Sequence, residues 1–404
     1  MPDISIQAFD YHLPNSHIAF FPSEERDGSK LLVHKVGTTS HHAFRELPEL
    51  VPNDSLFIFN NTKVIPARIQ LQKSSGTTIE IFLLKPLLDN IPTQQMMEQS
   101  GEVIWESLVG NKKRWKADET LSKSLEIEGK EVLLTIDWNN REENKVKITW
   151  NSADSFAAIL TEIGKIPLPP YMERDTELYD QDRYQTVFSK ELGAVAAPTA
   201  SLHFTPEILS KLEIQKKKSC YLTLHVGAGT FLPVKEDEVR NHPMHREQLI
   251  FDRDLIINIM QHQGSFIPVG TTAMRAVESL YWSGVWLIEQ QSIPQGGLII
   301  PKEFAYRERE LIPNHQALQA ILDYLDQHKL EQFIAQTEML IMPTYEFRFC
   351  DALITNFHQP KSTLLVLVSA LIGDEWKSVY EEAKHAGYRF LSYGDACLFF
   401  KKEK

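Results

Sequence analysis

The stretch "SFIPVGTTAMRAVESLYW" (residues 265–282) holds two kinds of structure joined by one glycine. "SFIPVG" reads as a strand. Thr271 and Thr272 are able to cap, and "TAMRAVESLYW" reads as a helix. A strand handed directly to a helix is the building unit of α/β folds. The handover also has a chemical use. The first N–H groups of a helix have no partner within it and favour a carboxylate or phosphate by ~0.3–1 kcal/mol. Gly270 lets a ligand approach the backbone closely. Arg275 and Glu278 sit three apart on one face, so plain capping plus a surface ion pair explains the same residues.

The same local solution recurs. "YLTLHVGAGTFLPV" (221–234) reads as a strand ending at His225, followed by the nearly bare backbone of Val226, Gly227, Ala228, Gly229 and Thr230. "DALITNFHQPKSTLLVL" (351–367) ends a strand at Thr355 and starts a helix near Ser362, with Asn356, His358, Gln359 and Lys361 between them. That much polarity in one loop favours function over a simple turn. "GAVAAPTASLHFTPEIL" (193–209) is another small-residue loop, in which Thr205 is a good N-cap, Pro206 suits the first helical position and His203 reads as structural. "RDLIINIMQHQG" (253–264) reads as a helix, and "HQALQAILDYLDQHKLEQFIAQ" (315–336) as one amphipathic helix. With a strand over 56–59, residues 1–67 and 151–404 are expected to form a large mixed α/β domain whose loops converge at one sheet edge.

Residues 68–150 differ in texture. The segments 77–84, 102–109, 131–138 and 145–150 alternate with period two or are rich in β-formers, and turn-like stretches separate them. Short strands at this spacing predict a small antiparallel β-barrel inserted into the larger domain. "NKKRWK" (111–116) is a basic run whose tryptophan is able to stack on a base, or an exposed hairpin loop.

Composition sets the outer limits. The chain has 404 residues, 43% hydrophobic and 24% charged, the balance of a globular protein, and a net charge of -12 argues against wholesale coating of nucleic acid or anionic membrane. Three scattered cysteines point to a reducing compartment rather than a disulfide framework. The longest apolar run, "LLVLVSALI" (364–372), is too short to span a membrane, and the N-terminus lacks a signal-peptide core. A soluble, cytoplasmic protein is expected. "NHPMHREQ" (241–248) brings His242, His245 and Glu247 together, but the intervening proline disfavours a helix and nothing completes a zinc set, so no metal is expected. P-loop, dinucleotide-binding and nucleophile-elbow motifs do not occur.

Eight blocks, in order, give a resemblance: "FNNTKVIPARI" (59–69), "RYQTVF" (183–188), "GAVAAPTASLHFT" (193–205), "LTLHVGAGTFLPV" (222–234), "HPMHRE" (242–247), "PVGTTAMRAVES" (268–279), "DALITNFHQPKSTLL" (351–365) and "YRFLSYGDACL" (388–398). They resemble the S-adenosylmethionine:tRNA ribosyltransferase-isomerase family of queuosine biosynthesis. The resemblance implies an α/β domain with an inserted β-barrel. It also implies a reaction in which the ribosyl part of S-adenosylmethionine moves onto a 7-aminomethyl-7-deazaguanine base at the wobble position of tRNA. Isomerisation gives epoxyqueuosine and releases adenine and methionine. S-adenosylmethionine is then a co-substrate and no other cofactor is expected; the partner is the tRNA anticodon stem-loop, and the protein is expected to be monomeric.

That chemistry needs a general base beside the sulfonium, help for departing adenine and a neutral incoming amine. His225 is the preferred acid/base, with His245 and Glu247 the next pair. Gly227, Gly229 and Thr230 would admit the adenosine. Gly270, Thr271, Thr272 and Arg275 suit the methionine carboxylate. Asn356, His358 and Lys361 would hold the nucleobase or an anticodon phosphate. Some positions depart from the family pattern: Lys63 replaces an arginine, Ser201 and Thr344 replace glycines, and 283–340 is longer than expected. These departures keep alternatives open, namely a tRNA-binding or nucleoside-modifying paralogue with altered or lost activity.

Overall fold

The computed structural model of the protein describes residues 1–87, 91–227, 229, 234–290 and 292–402. Its centre is a six-stranded mixed sheet in the order Phe266–Pro268, Leu56–Asn60, Lys218–Leu224, Glu247–Asp252, Gln332–Thr337, Leu298–Ile300. The first three run parallel, with Leu56 opposite both Phe266 and Lys218. Glu247–Asp252 is antiparallel to its neighbours on either side. Leu56 to Phe59 is an unbroken apolar run because both faces of that strand are covered.

A second sheet has the order Ala352–Asn356, Ala396–Phe400, Lys30–Lys35, Thr38–Ala43. A parallel bridge between Val269 and Ile354 joins it to the first. The C-terminal ends of four parallel strands therefore share one edge, which carries Asn60, His225, Gly270 and Asn356. Gly270 makes the junction: at φ +90 it turns its N–H onto the Ile354 carbonyl at 2.7 Å.

The helix Thr271–Gln290 follows at once and is buried almost all round. Met274, Val277 and Tyr281 enter the main core with Leu318, Ile321 and Leu325 of the helix Asn314–His328. Gly284 permits that crossing, since a Cβ there would lie 2.0 Å from the Ala317 carbonyl oxygen. The expected single helix over 315–336 is instead a helix and a strand. The helix ends at His328, Lys329 takes φ 54, and Gln332–Thr337 becomes an inner strand of the sheet. Residues 283–340 thus complete the central sheet.

The third sheet is antiparallel and seven-stranded, in the order Gly164–Lys165, Arg68–Gln72, Thr78–Pro86, Glu102–Gly110, Lys145–Trp150, Lys130–Asn140, Leu121–Ile127. It curls: Arg68–Gln72 and Leu121–Ile127 come into contact although four strands separate them in the order. Among the described residues no ladder joins those two strands. Inward residues such as Ile79, Ile81, Val103 and Ile148 pack on Phe156, Ile159 and Leu160 of the helix Phe156–Ile163. Trp115 of the basic run is fully buried and stacks on Trp138 at 4.2 Å, so it is not free to stack on a base. Among the described residues no helix is long and apolar enough to cross a membrane.

Candidate active site

The shared strand edge opens into a chain of adjoining hollows. The first lies between the 196–200 loop, the start of the helix Thr271–Gln290 and the 355–359 turn. Thr271 and Thr272 also line a second, smaller hollow with Arg275 and Met244. Met244 leads into a wide groove that contains Gly227, Gly229 and His245. Gly227 is shared with a last hollow, where His225 lies. Gly270 and Asn356 line the first hollow together, while Gly227 lines the wide groove and the last hollow.

His225 is buried at the end of Lys218–Leu224. Its Nδ1 lies 2.9 Å from Thr62 Oγ1, and Thr62 Oγ1 donates to the Glu191 carbonyl at 3.4 Å. The threonine oxygen therefore accepts from Nδ1–H, which leaves the lone pair on Nε2. Among the described residues Nε2 has no hydrogen-bond partner. Burial lowers the pKa to about 4, so the ring is neutral at physiological pH. Gly193 makes room for it: at φ +152 a Cβ would lie 2.8 Å from the ring.

His245 and Glu247 form a second unit. Glu247 is buried at the start of its strand; its Oε1 accepts from the Gly227 N–H at 3.1 Å and from His245 Nε2 at 3.1 Å. Since a carboxylate only accepts, Nε2 carries the proton and Nδ1 carries the lone pair. Nδ1 faces Gly229, where a Cβ would lie 2.6 Å away. Burial, with the Arg275 charge second, lowers the His245 pKa to about 3. Glu247 Oε2 pairs with Arg275. Burial brings the Arg275 pKa down to about 10, which leaves it charged at neutral pH.

The expected surface pair of Arg275 with Glu278 does not form. Both are buried. Glu278 instead accepts from Tyr345 Oη at 2.7 Å and from the Phe349 N–H at 2.8 Å, while Arg275 turns to the strand residue Glu247.

Across the first hollow, Asn356 is fixed on both sides. Thr199 Oγ1 donates to its Oδ1 at 2.8 Å, and its Nδ2 lies 3.3 Å from His203 Nε2. His203 closes the chain through Nδ1 to Ser29 Oγ at 2.8 Å, the structural role expected of it. His358 Nε2 lies 2.9 Å from Thr355 Oγ1, and burial lowers its pKa to about 3. Lys361 does not line these hollows; its Nζ pairs with Asp10 at 2.9 Å and its N–H donates to Phe9. Thr230 lies outside the described residues.

Residues not singled out from sequence also shape the site. Thr62 sets the His225 tautomer. Tyr171 Oη bonds Ser392 Oγ and accepts from the Ser392 N–H at 3.0 Å, beside Leu391 at φ 71. A leucine in the left-handed region is strained, which marks the turn as positioned for something beyond chain reversal. Ser392 and Thr62 lie inside the blocks that carry the resemblance, but the type of each residue alone suggested no role. Among the described residues no group of three or more His, Cys, Asp or Glu side chains could hold a metal ion.

This fold defines a chain of mixed α/β architecture with neutral imidazoles buried near one strand edge. The profile of the queuosine biosynthesis protein family matches residues 6–399, and the chain belongs to that family. It is 36% identical over 403 residues to the S-adenosylmethionine:tRNA ribosyltransferase-isomerase of a Sulfurihydrogenibium species, covering 98% of this chain and 99% of that one. The enzyme of the same name from Francisella philomiragia is 34% identical over 398 residues, covering 97% and 98%. A crystal structure of S-adenosylmethionine tRNA ribosyltransferase from Thermotoga maritima matches with a TM-score of 0.46 at 25% identity, covering 97% of this chain and 100% of that one.

Proposed function

We propose that the protein is an S-adenosylmethionine-dependent tRNA ribosyltransferase-isomerase. It moves the ribosyl part of S-adenosylmethionine onto the aminomethyl group of 7-aminomethyl-7-deazaguanine at the wobble position of tRNA. The products are epoxyqueuosine-tRNA, adenine and methionine. The observation that carries this reading is the end-to-end likeness to enzymes of that name.

The geometry supports a division of labour. His225 Nε2, neutral and without a hydrogen-bond partner among the described residues, takes the proton from the carbon beside the sulfonium. His245 Nδ1 is the acceptor that keeps the incoming amine neutral, with Glu247 fixing its tautomer. The open backbone at Gly227 and Gly229 admits the sugar. The N-terminus at Gly270, Thr271 and Thr272 meets the methionine carboxylate. Arg275, tied to Glu247, holds the base-bearing unit in place and adds positive potential. Asn356 and His358 hold the nucleobase, while Lys361 secures the turn through Asp10. S-adenosylmethionine is the co-substrate, with no further cofactor. Residues 68–150 act as an inserted barrel-like module, and the enzyme works in the cytoplasm as a monomer.

The test is incubation with S-adenosylmethionine and tRNA carrying the aminomethyl base. Adenine, methionine and the enlarged nucleoside should appear in equal amounts. RNA binding without adenine release would mean a paralogue that has lost turnover.

A further inference from the structure

The wide groove is unlike the outer face of an ordinary half-exposed sheet. Along Thr78–Pro86 the residues Ile79, Ile81 and Leu83 are buried inward, while Glu80, Phe82 and Leu84 are half-buried on the other face, Phe82 also packing against the sheet's core cluster. Phe82 stands directly opposite Leu108 on the neighbouring strand, and Leu108 is 54% exposed. Such a face is normally polar; here an aromatic and two leucines line a wide groove together with Gly229 and His245. The stiff segment Pro167, Leu168, Pro169 and Pro170 lines the same groove.

The charges of the groove are paired. Arg68 meets Glu80 at 2.7 Å, Lys85 meets Glu106 at 3.6 Å, Arg246 meets Glu338 at 2.7 Å and Arg174 meets Asp180 at 2.8 Å. Glu173 and Asp175 also line it. A track for phosphates needs surplus cations, and this groove has none among its described residues. A slot with no surplus of cations and with an aromatic and two leucines in its lining fits flat, uncharged heterocycles instead.

We propose that this groove receives the unpaired RNA bases that flank the target nucleotide, with Phe82 and Leu108 as the stacking wall beside the catalytic end at His245. The inference rests on the tRNA reading above and names the surface that reading leaves open. Flanking bases are held by stacking, and the phosphates face away from the groove.

The test uses the full-length protein and an anticodon stem-loop with 2-aminopurine next to the target base. Binding to the wild type should quench its fluorescence. Phe82→Ala should weaken RNA binding roughly 10- to 100-fold, the range for loss of one base–aromatic stack. Leu108→Ala should weaken it less, and Phe82→Trp should restore both affinity and quenching. The KM for S-adenosylmethionine should stay within about twofold, and the salt dependence of RNA binding should not change, because no phosphate contact is lost. Unchanged RNA affinity in Phe82→Ala would overturn the groove assignment, even with wild-type turnover intact. Quenching that depends on Phe82, without adenine release, would uphold the groove and remove the proposed reaction. Equal loss in Phe82→Ala and Phe82→Trp, with unchanged melting temperatures, would also count against a stacking wall.

Discussion

Glu247 fixes His245: the carboxylate oxygen Oε1 lies 3.1 Å from the imidazole Nε2 and dictates that the free lone pair is on Nδ1, toward Gly229. The carboxylate's other oxygen is committed to Arg275. One buried carboxylate therefore sets the tautomer of a cleft imidazole and anchors the first turns of the central helix.

Breaking that arrangement on one side should be costly. Glu247→Gln leaves Arg275 buried without a counter-charge and should lower stability by about 3–5 kcal/mol, read from urea unfolding. Combining it with Arg275→Met should recover most of that loss without restoring adenine release. A double variant as unstable as the single one would mean that the pair is not energetically coupled.

Thr62 should matter chiefly through His225, its 2.9 Å partner, rather than through its longer bond to the Glu191 carbonyl. Thr62→Val removes the acceptor for Nδ1–H and frees the ring to adopt the other tautomer. The expected result is a kcat lower by roughly 10- to 100-fold, with little change in the KM for S-adenosylmethionine, and recovery in Thr62→Ser. A rise in KM with kcat unchanged would assign Thr62 to binding.

Acid sensitivity follows from the buried histidines. The pKa is about 4 for His203 and His225 and about 3 for His245 and His358, all below the ordinary value of 6.5, with burial as the main cause. As pH falls through 6.5 the unfolded chain takes up protons that the folded chain refuses. Stability is thus full above about pH 6.5 and falls steadily toward pH 4. His358→Gln should reduce that slope by about one proton, measured by melting between pH 7 and pH 5. The acid limb of kcat/KM should lie near pH 4 rather than 6.5.

Thr344 has a φ of 84. A β-branched residue is strained there, and its side chain is exposed. Thr344→Gly should raise stability by about 1 kcal/mol and leave turnover unchanged, as read from thermal unfolding.

The fold was legible wherever local pattern and tertiary role agree. The 265–282 handover, the 56–59 strand and the period-two segments of the curled sheet all occupy the places their side-chain spacing implied. Leu121–Ile127 was not legible, because "LSKSLEI" spaces its apolar residues widely along an edge strand. The break in 315–336 was hidden because Lys329, not a glycine, takes the left-handed turn. Within the cleft, glycine-bearing loops could be located from sequence because bare backbone is visible in the letters. Partnerships could not. Arg275 has an acidic residue three positions away, yet its partner comes from another strand 28 positions earlier, and only the packed helix decides between them.

The central claim is that His225 is the base at the head of this cleft. It is tested most directly by single-turnover adenine release in His225→Ala, with S-adenosylmethionine and the tRNA substrate bound. The account predicts a rate lower by at least ~100-fold, with both substrates still binding within about twofold of wild type. Adenine release at the wild-type rate would contradict it.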